Sequence, residues 1–222
     1  DIRPSDLAAG IWRDEAVDVR FGVEAAEMRF LDSMSPVAAA RGSAILRGNR
    51  FDMVVPEARI NGLALSNGRV EIPRLKPRGA MATISVHAEG EARNLMEILV
   101  QDPLSLGERL PIDPASATGH TSVDLRLQRP NQRDVAFEQW RFSVRGSVRD
   151  FAGSMTTRRM ALSRGQLRIE GDQNAIVVSG PVRAGQSEIG EVRWTERLRA
   201  RGQQSSEYMI AGDFDANDLT RL

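Results

Sequence analysis

The chain of 222 residues has no cysteine, so neither a disulfide framework nor a thiolate metal site is available to it. Its two histidines, His87 and His120, show no HxxxH or HxH spacing, and a transition-metal site would have to be gathered from carboxylates by the fold. Thirty basic residues balance thirty acidic ones, which leaves no net charge to draw the chain to nucleic acid or to an anionic membrane. Aromatic residues make up only 5%, so a sugar- or base-stacking platform would have few rings to work with. No apolar run approaches the roughly 18 residues that span a bilayer, and the N-terminus lacks the basic and apolar regions of a signal peptide. There is no GxSxG elbow, P-loop or GxGxxG fingerprint. These absences lead us to expect no enzyme, no cofactor and no metal.

What the chain does contain is an internal echo. A shift of 123 superimposes Gly42 on Gly165, Gly48 on Gly171, Val54 on Val177, Gly62 on Gly185 and Leu75 on Leu198. The apolar positions alternate in both copies, with Ala44 and Leu46 matching Leu167 and Ile169, and Met53 and Val55 matching Ile176 and Val178. A period of two belongs to strands with one buried face, and the shared glycines fall where such strands turn. The echo continues from residues 87–99 into 210–222, each a strand ending in glycine followed by a short leucine-bearing helical turn. This predicts two β-meander units, residues 1–106 and 107–222, each ending in a short helix. The alternative is an ordinary β-sandwich whose hairpins look alike.

Along the chain, after a loop-like start around Pro4, VDVRFGV puts Val17, Val19, Phe21 and Val23 on one face of a strand, with Met28 and Phe30 as its expected partner. Pro56 and Pro73 each remove a ladder donor and are expected at strand ends or on an edge. Ile84, Val86 and Ala88 alternate with Ser85 and His87; Ala92 to Gln101 is the best helix candidate. The segment 106–120, with two prolines and two glycines, reads as a connection between halves. Val123, Leu125 and Leu127 point inward and Asp124, Arg126 and Gln128 outward, and strands over Phe137 to Arg149 and Ser154 to Leu162 put Trp140, Phe142 and Val144 on one face. About fifteen short strands result, too many for one flat sheet. Of the 30 basic residues only Lys76 is lysine, which reads first as a coding bias and second as chemistry, since arginine stems laid over apolar surface suit the outer face of such a sheet.

Asp213, Asp215 and Asn217 spell D-x-D-x-N, the opening of a calcium loop. Asp218 then stands where the sharp turn wants glycine, and the sequence stops before the bidentate glutamate. The pattern reads better as a strand leaving at Gly212 and a helix capped by Asn217. The start on Asp1 and the stop within a helical pattern at Leu222 suit an excised segment.

At LPIDPASATGHTSVDLRLQRP (110–130) an Asp-Pro lead-in, a glycine, an alternating strand and a closing proline resemble the AsmA-like superfamily, in the branch of the large YhdP-type proteins. Residues 91–106, 162–182 and 207–222 are similar to the same pattern, so the resemblance covers roughly residues 40 to 222. It implies a mainly β fold, antiparallel meander repeats forming a long curled sheet with an open hydrophobic groove and one or two short helices. It further implies a periplasmic protein anchored in a Gram-negative inner membrane by a helix outside this segment, carrying phospholipid acyl chains toward the outer membrane. No catalytic residue, cofactor or nucleic-acid partner comes with it. In such a groove Leu46, Met53, Val55, Ile84, Val123, Leu125, Trp140, Phe142, Leu167, Ile169 and Val178 are expected to line one concave surface with partial solvent access. In a sandwich they would share a closed, dry core as part of a structural or protein-interaction module.

Overall fold

The structure is a computed structural model that describes residues 17–29, 33–132, 135–156, 160–198 and 205–215. The alternating segments become β1 (Asp18–Met28), β2 (Val37–Arg47), β3 (Arg50–Ile60), β4 (Leu63–Ile72), β5 (Met81–Glu91), β6 (Thr118–Pro130), β7 (Arg141–Ser154), β8 (Ala161–Asp172), β9 (Ala175–Ala184), β10 (Ser187–Arg197) and β11 (Ser206–Asp213). A helix, α1 (Ala92–Leu99), follows β5 directly. All eleven strands belong to one antiparallel sheet in chain order. Among the described residues β1 pairs only with β2 and β11 only with β10, so the sheet is not closed. The fold is therefore mainly β, an open antiparallel meander with a single α-helix among the described residues, and the two-sheet sandwich does not form.

Eleven long strands stand where about fifteen short ones were expected, because bulges interrupt the alternation without ending a strand. Ala25, Ala39, Asn67, Asp150 and Arg164 have positive φ inside β1, β2, β4, β7 and β8. Each lies at a shift in register with a neighbouring strand. A bulge resets which parity faces inward and bends the strand, so a period-two reading breaks one strand into two while the sheet curls. Val17 to Met28 accordingly is not a hairpin: Met28 ends β1, whose partner is β2, and Phe30 lies outside the described residues. Residues 137–139 form a single 3-10 turn before β7. Pro56 was expected at an end or an edge and sits instead within interior strand β3. There Arg41 pairs with Glu57 and Ser43 with Val54, so Gly42 alone opposes Val55 and Pro56 and the missing donor falls at a bulge. Pro73 does follow the end of β4.

The 123-residue shift carries β1–β5 onto β7–β11 with strand ends agreeing within three residues. β6 has no counterpart and takes the central place in the sheet. It pairs with β5 from Met81↔Pro130 to Glu91↔His120, so the sheet runs unbroken from the first meander into the second.

α1 and the connection that follows it lie against one face of the sheet. The helix is short and has no side-chain cap at Glu91; a helix of this length owes its stability to its neighbours. Leu95, Met96 and Leu99 pack on the core, while Arg93 and Glu97 pair outward at 3.0 Å. Two turns of the first meander hold it: Asn61 Nδ2 donates to the Asn94 carbonyl and to Glu97, each at 3.0 Å, and the Ser35 N–H donates to Gln101 Oε1 at 2.7 Å. The connection 100–117 then crosses toward the second meander. Leu106, Leu110, Ile112 and Ala117 are buried, and the Asp113 N–H bonds the Ser154 carbonyl at 2.9 Å at the end of β7.

Candidate functional site

Cross-strand partners show how the apolar positions assemble. Phe21, Ala44, Met53, Val70, Ile84, Leu127 and Phe142 are successive partners from β1 to β7. Ala58, Leu65, Ala88, Val123, Gly146, Ile169, Val178, Trp194 and Tyr208 make a second row from β3 to β11. Because partners across an antiparallel ladder point to the same side, one apolar face runs across the whole sheet. The opposite face carries exposed ion pairs, among them Arg20–Asp18 at 3.3 Å, Arg50–Asp52 at 2.6 Å and Arg41–Glu57 at 3.0 Å. Such pairs add little stability each, but they keep that side wet.

Ten of the eleven expected lining residues lie in strands on the apolar face. Met53, Val123, Leu167 and Ile169 are buried, and Leu46, Val55, Ile84, Leu125, Phe142 and Val178 are half-buried. Trp140, also buried, precedes β7: its ring packs at a 52° tilt against Phe137 with centroids 5.6 Å apart, the Arg129 guanidinium lies 5.3 Å from its ring centre, and its Nε1 donates to the Val135 carbonyl at 3.3 Å. Burial pulls the Arg129 pKa below its ordinary value.

The face is not uniform. Across its second half α1, Leu106, Leu110 and Ile112 roof a cavity of about 190 Å³ whose floor is formed by β6 to β11. Val123, Leu167, Ile169 and Val178 line this cavity; Leu46, Met53, Val55, Ile84, Leu125, Trp140 and Phe142 lie outside it. Apart from Arg193, the Trp194 indole and the Tyr208 hydroxyl, the lining side chains are wholly apolar. A void this large far exceeds the roughly 10–15 Å³ one water needs, yet an apolar lining offers water no partners, so such a space stays dry. Tyr208, 53% exposed, and Ile210 line it on edge strand β11, which sets its mouth at the open edge.

One charged pair spans roof and floor. Glu196 of β10 is 0% exposed; its Oε1 lies 3.1 Å from Arg109 Nη1, and its Oε2 accepts from the Ser206 hydroxyl. Arg109 belongs to the roof, so the pair latches the connection to the far strands. The sequence reading missed this latch, as well as Leu106, Leu110, Phe151 and Trp194. The signal available was the leucine spacing in LSLGERLPI, whose apolar side chains are too regular for a solvated linker.

Of the acidic residues near the end, Asp213 closes β11 and the Asp215 N–H donates to Ser187 Oγ at 3.0 Å; the expected cap at Asn217 lies outside the described residues. His87 sits on the polar face, with Nδ1 2.8 Å from Asp124 and Nε2 3.2 Å from Glu89. The hydrogen bond with Asp124 first, then that with Glu89, raises its pKa above the ordinary value.

Fold and site together define an open, curled β-sheet with one apolar face, half of it roofed. No protein-family model matches the chain, and neither a curated protein nor a solved structure matches it. Among the described residues no helix is long and apolar enough to cross a membrane.

Proposed function

We propose that this chain shelters phospholipid acyl chains along its apolar sheet face, as a segment of a bridge-like lipid-transfer protein working between inner and outer membranes. The observation that carries the reading is an apolar face continuous from β1 to β11 on a sheet that does not close. Burying a tail is worth about 0.8 kcal/mol per methylene, while burying a head group costs far more. A one-sided sheet serves both, since tails lie on the face and heads stay in water. The periplasmic setting, with an inner-membrane anchor outside this segment, rests on the resemblance of residues 40 to 222 to AsmA-like proteins. The polar back of the sheet, lined with exposed ion pairs, suits a protein in an aqueous compartment.

Vesicles of phosphatidylethanolamine and phosphatidylglycerol with a fluorophore on one acyl chain test the reading. Adding the protein should withdraw labelled lipid and raise its emission. Leu125→Asp, on the half-buried part of the face, should lose most of that gain, and Arg126→Asp on the back should keep it. No withdrawal of lipid by the unaltered protein would end the proposal.

A further inference from the structure

Among the described residues eight large apolar side chains are exposed, and six of them stand on the two edge strands: Val19, Phe21 and Met28 on β1, and Tyr208, Met209 and Ile210 on β11. An edge strand carries a row of unpaired N–H and C=O groups, and proteins that stay single blunt it with charge, proline or a bulge. β11 has none of these between Tyr208 and Gly212. β1 has a bulge at Ala25 flanked by Glu24 and Glu27, but from Val17 to Val23 its alternation is unbroken. The chain already contains the joint that two such edges would make. By the internal repeat β11 corresponds to β5: with a shift of 122, one residue short of the 123 of the meander, Gly212 falls on Gly90, and the front-facing Tyr208 and Ile210 fall on Val86 and Ala88. The edge of β5 away from β4 is taken by β6. β6 contains Val123-Asp124-Leu125-Arg126-Leu127, and the first edge of the sheet opens with Val17-Asp18-Val19-Arg20-Phe21. One edge therefore presents a strand like β5, and the other a strand like β6.

We infer that β11 of one molecule pairs antiparallel with β1 of a second copy of this chain, so that the sheet and its apolar front continue from molecule to molecule. The β5–β6 register sets the contacts. Val86↔Leu125 becomes Tyr208 opposite Val19, Ala88↔Val123 becomes Ile210 opposite Val17, and Ser85↔Arg126 becomes Glu207 opposite Arg20. Apolar side chains then meet on the front and opposite charges meet on the back, both favourable in direct cross-strand pairs. Glu207 already holds Arg197 at 2.8 Å, and the joint brings it a second guanidinium. A slip of one residue would turn this stretch of β1 to the wrong side of the sheet, so the pattern selects the register. The contact is head-to-tail: each copy in a pair keeps one unused edge, of opposite kinds, and the assembly grows past a dimer. It does not rest on the lipid reading, because only backbone pairing and complementary side chains hold it.

The test is sedimentation velocity of the whole chain from low to high micromolar concentration. The unaltered protein should show an average mass that rises past that of a dimer. Val19→Lys blocks the β1 edge and Ile210→Lys the β11 edge, since a lysine on an edge strand deters pairing. Each variant alone should be a monomer, and an equal mixture of the two should form a particle of twice the monomer mass and nothing larger. Dimers of either variant alone overturn the head-to-tail contact, because like edges are then pairing with each other. A monomer at every concentration of the unaltered protein overturns the interface altogether. Separate variants read the register. The chain has no cysteine, so Val19→Cys mixed with Tyr208→Cys should be joined by a short bis-maleimide into a crosslinked heterodimer, while neither variant should crosslink alone. A mixture that associates without giving this crosslink overturns the pairing of β11 with β1. Mass and crosslink are read on proteins without either lysine, so the outcome stands even if a lysine variant does not fold.

Discussion

Gly42 lies opposite the bulge at Val55 and Pro56, and a Cβ built there would sit 2.2 Å from the Val54 carbonyl oxygen. Backbone must shift to admit it, so Gly42→Ala should lose about 1–3 kcal/mol in a denaturant titration; an unchanged midpoint would mean that the bulge yields freely. His87 gives a pH dependence. Its pKa is raised above 6.5 by Asp124 and Glu89, so its contribution is full below pH 6.5 and is lost as pH rises through the folded-state value. Unfolding free energies from about pH 5.5 to about pH 8.5 should show this decline, and His87→Asn should flatten it. Single positions on the apolar face were legible wherever alternation held, as at Val123 and Leu125. Trp194 was not, because the straight shift sets it against Glu71, which pairs with Asp52 on the polar face. With bulges in the intervening strands, a one-residue slip turns a side chain to the other face, and no comparison of residue types alone shows that slip.

The strands read well because turn residues and alternation are local signals; the 123-residue echo matched β2–β5 to β8–β11, while β1, β6 and β7 rested on alternation alone. Their number read poorly, since a bulge looks like a strand end. The roof could not be read as one: its role is set by contacts between Leu106 and strands far away in sequence, and the prolines and glycines around it signal only irregular backbone. Leu106, 1% exposed, should when changed to Ala lose about 2–5 kcal/mol. Arg109→Met should lose about 2–3 kcal/mol, somewhat under the full cost of stranding a buried charge because the Arg109 side chain is 38% exposed. Double replacement of Arg109 by Met and Glu196 by Leu should recover much of that loss, since removing both charges leaves none uncompensated. Thermal unfolding of the three variants checks this, and a double variant as unstable as Arg109→Met would show that the pair does more than hold the roof down.

Taken as one body, the described residues form a sheet with two open edges, a wet back and an apolar front, of which one half is roofed and the other is not. Val19 and Phe21, each 46% exposed on β1, leave the apolar front accessible at one edge, and Tyr208 and Ile210 do so at the other. An apolar surface that reaches both edges is what a passage for tails requires and what a self-contained core avoids. The most direct test of the proposed passage is photocrosslinking in cells with a probe placed in turn at Leu125, Leu127, Asp124 and Arg126 of the central strand β6. Successive residues of a strand point to opposite faces, so phospholipid adducts are expected from Leu125 and Leu127 and few from Asp124 and Arg126. Equal lipid capture from both faces, or protein adducts alone from the two leucines, would contradict a lipid-bearing face.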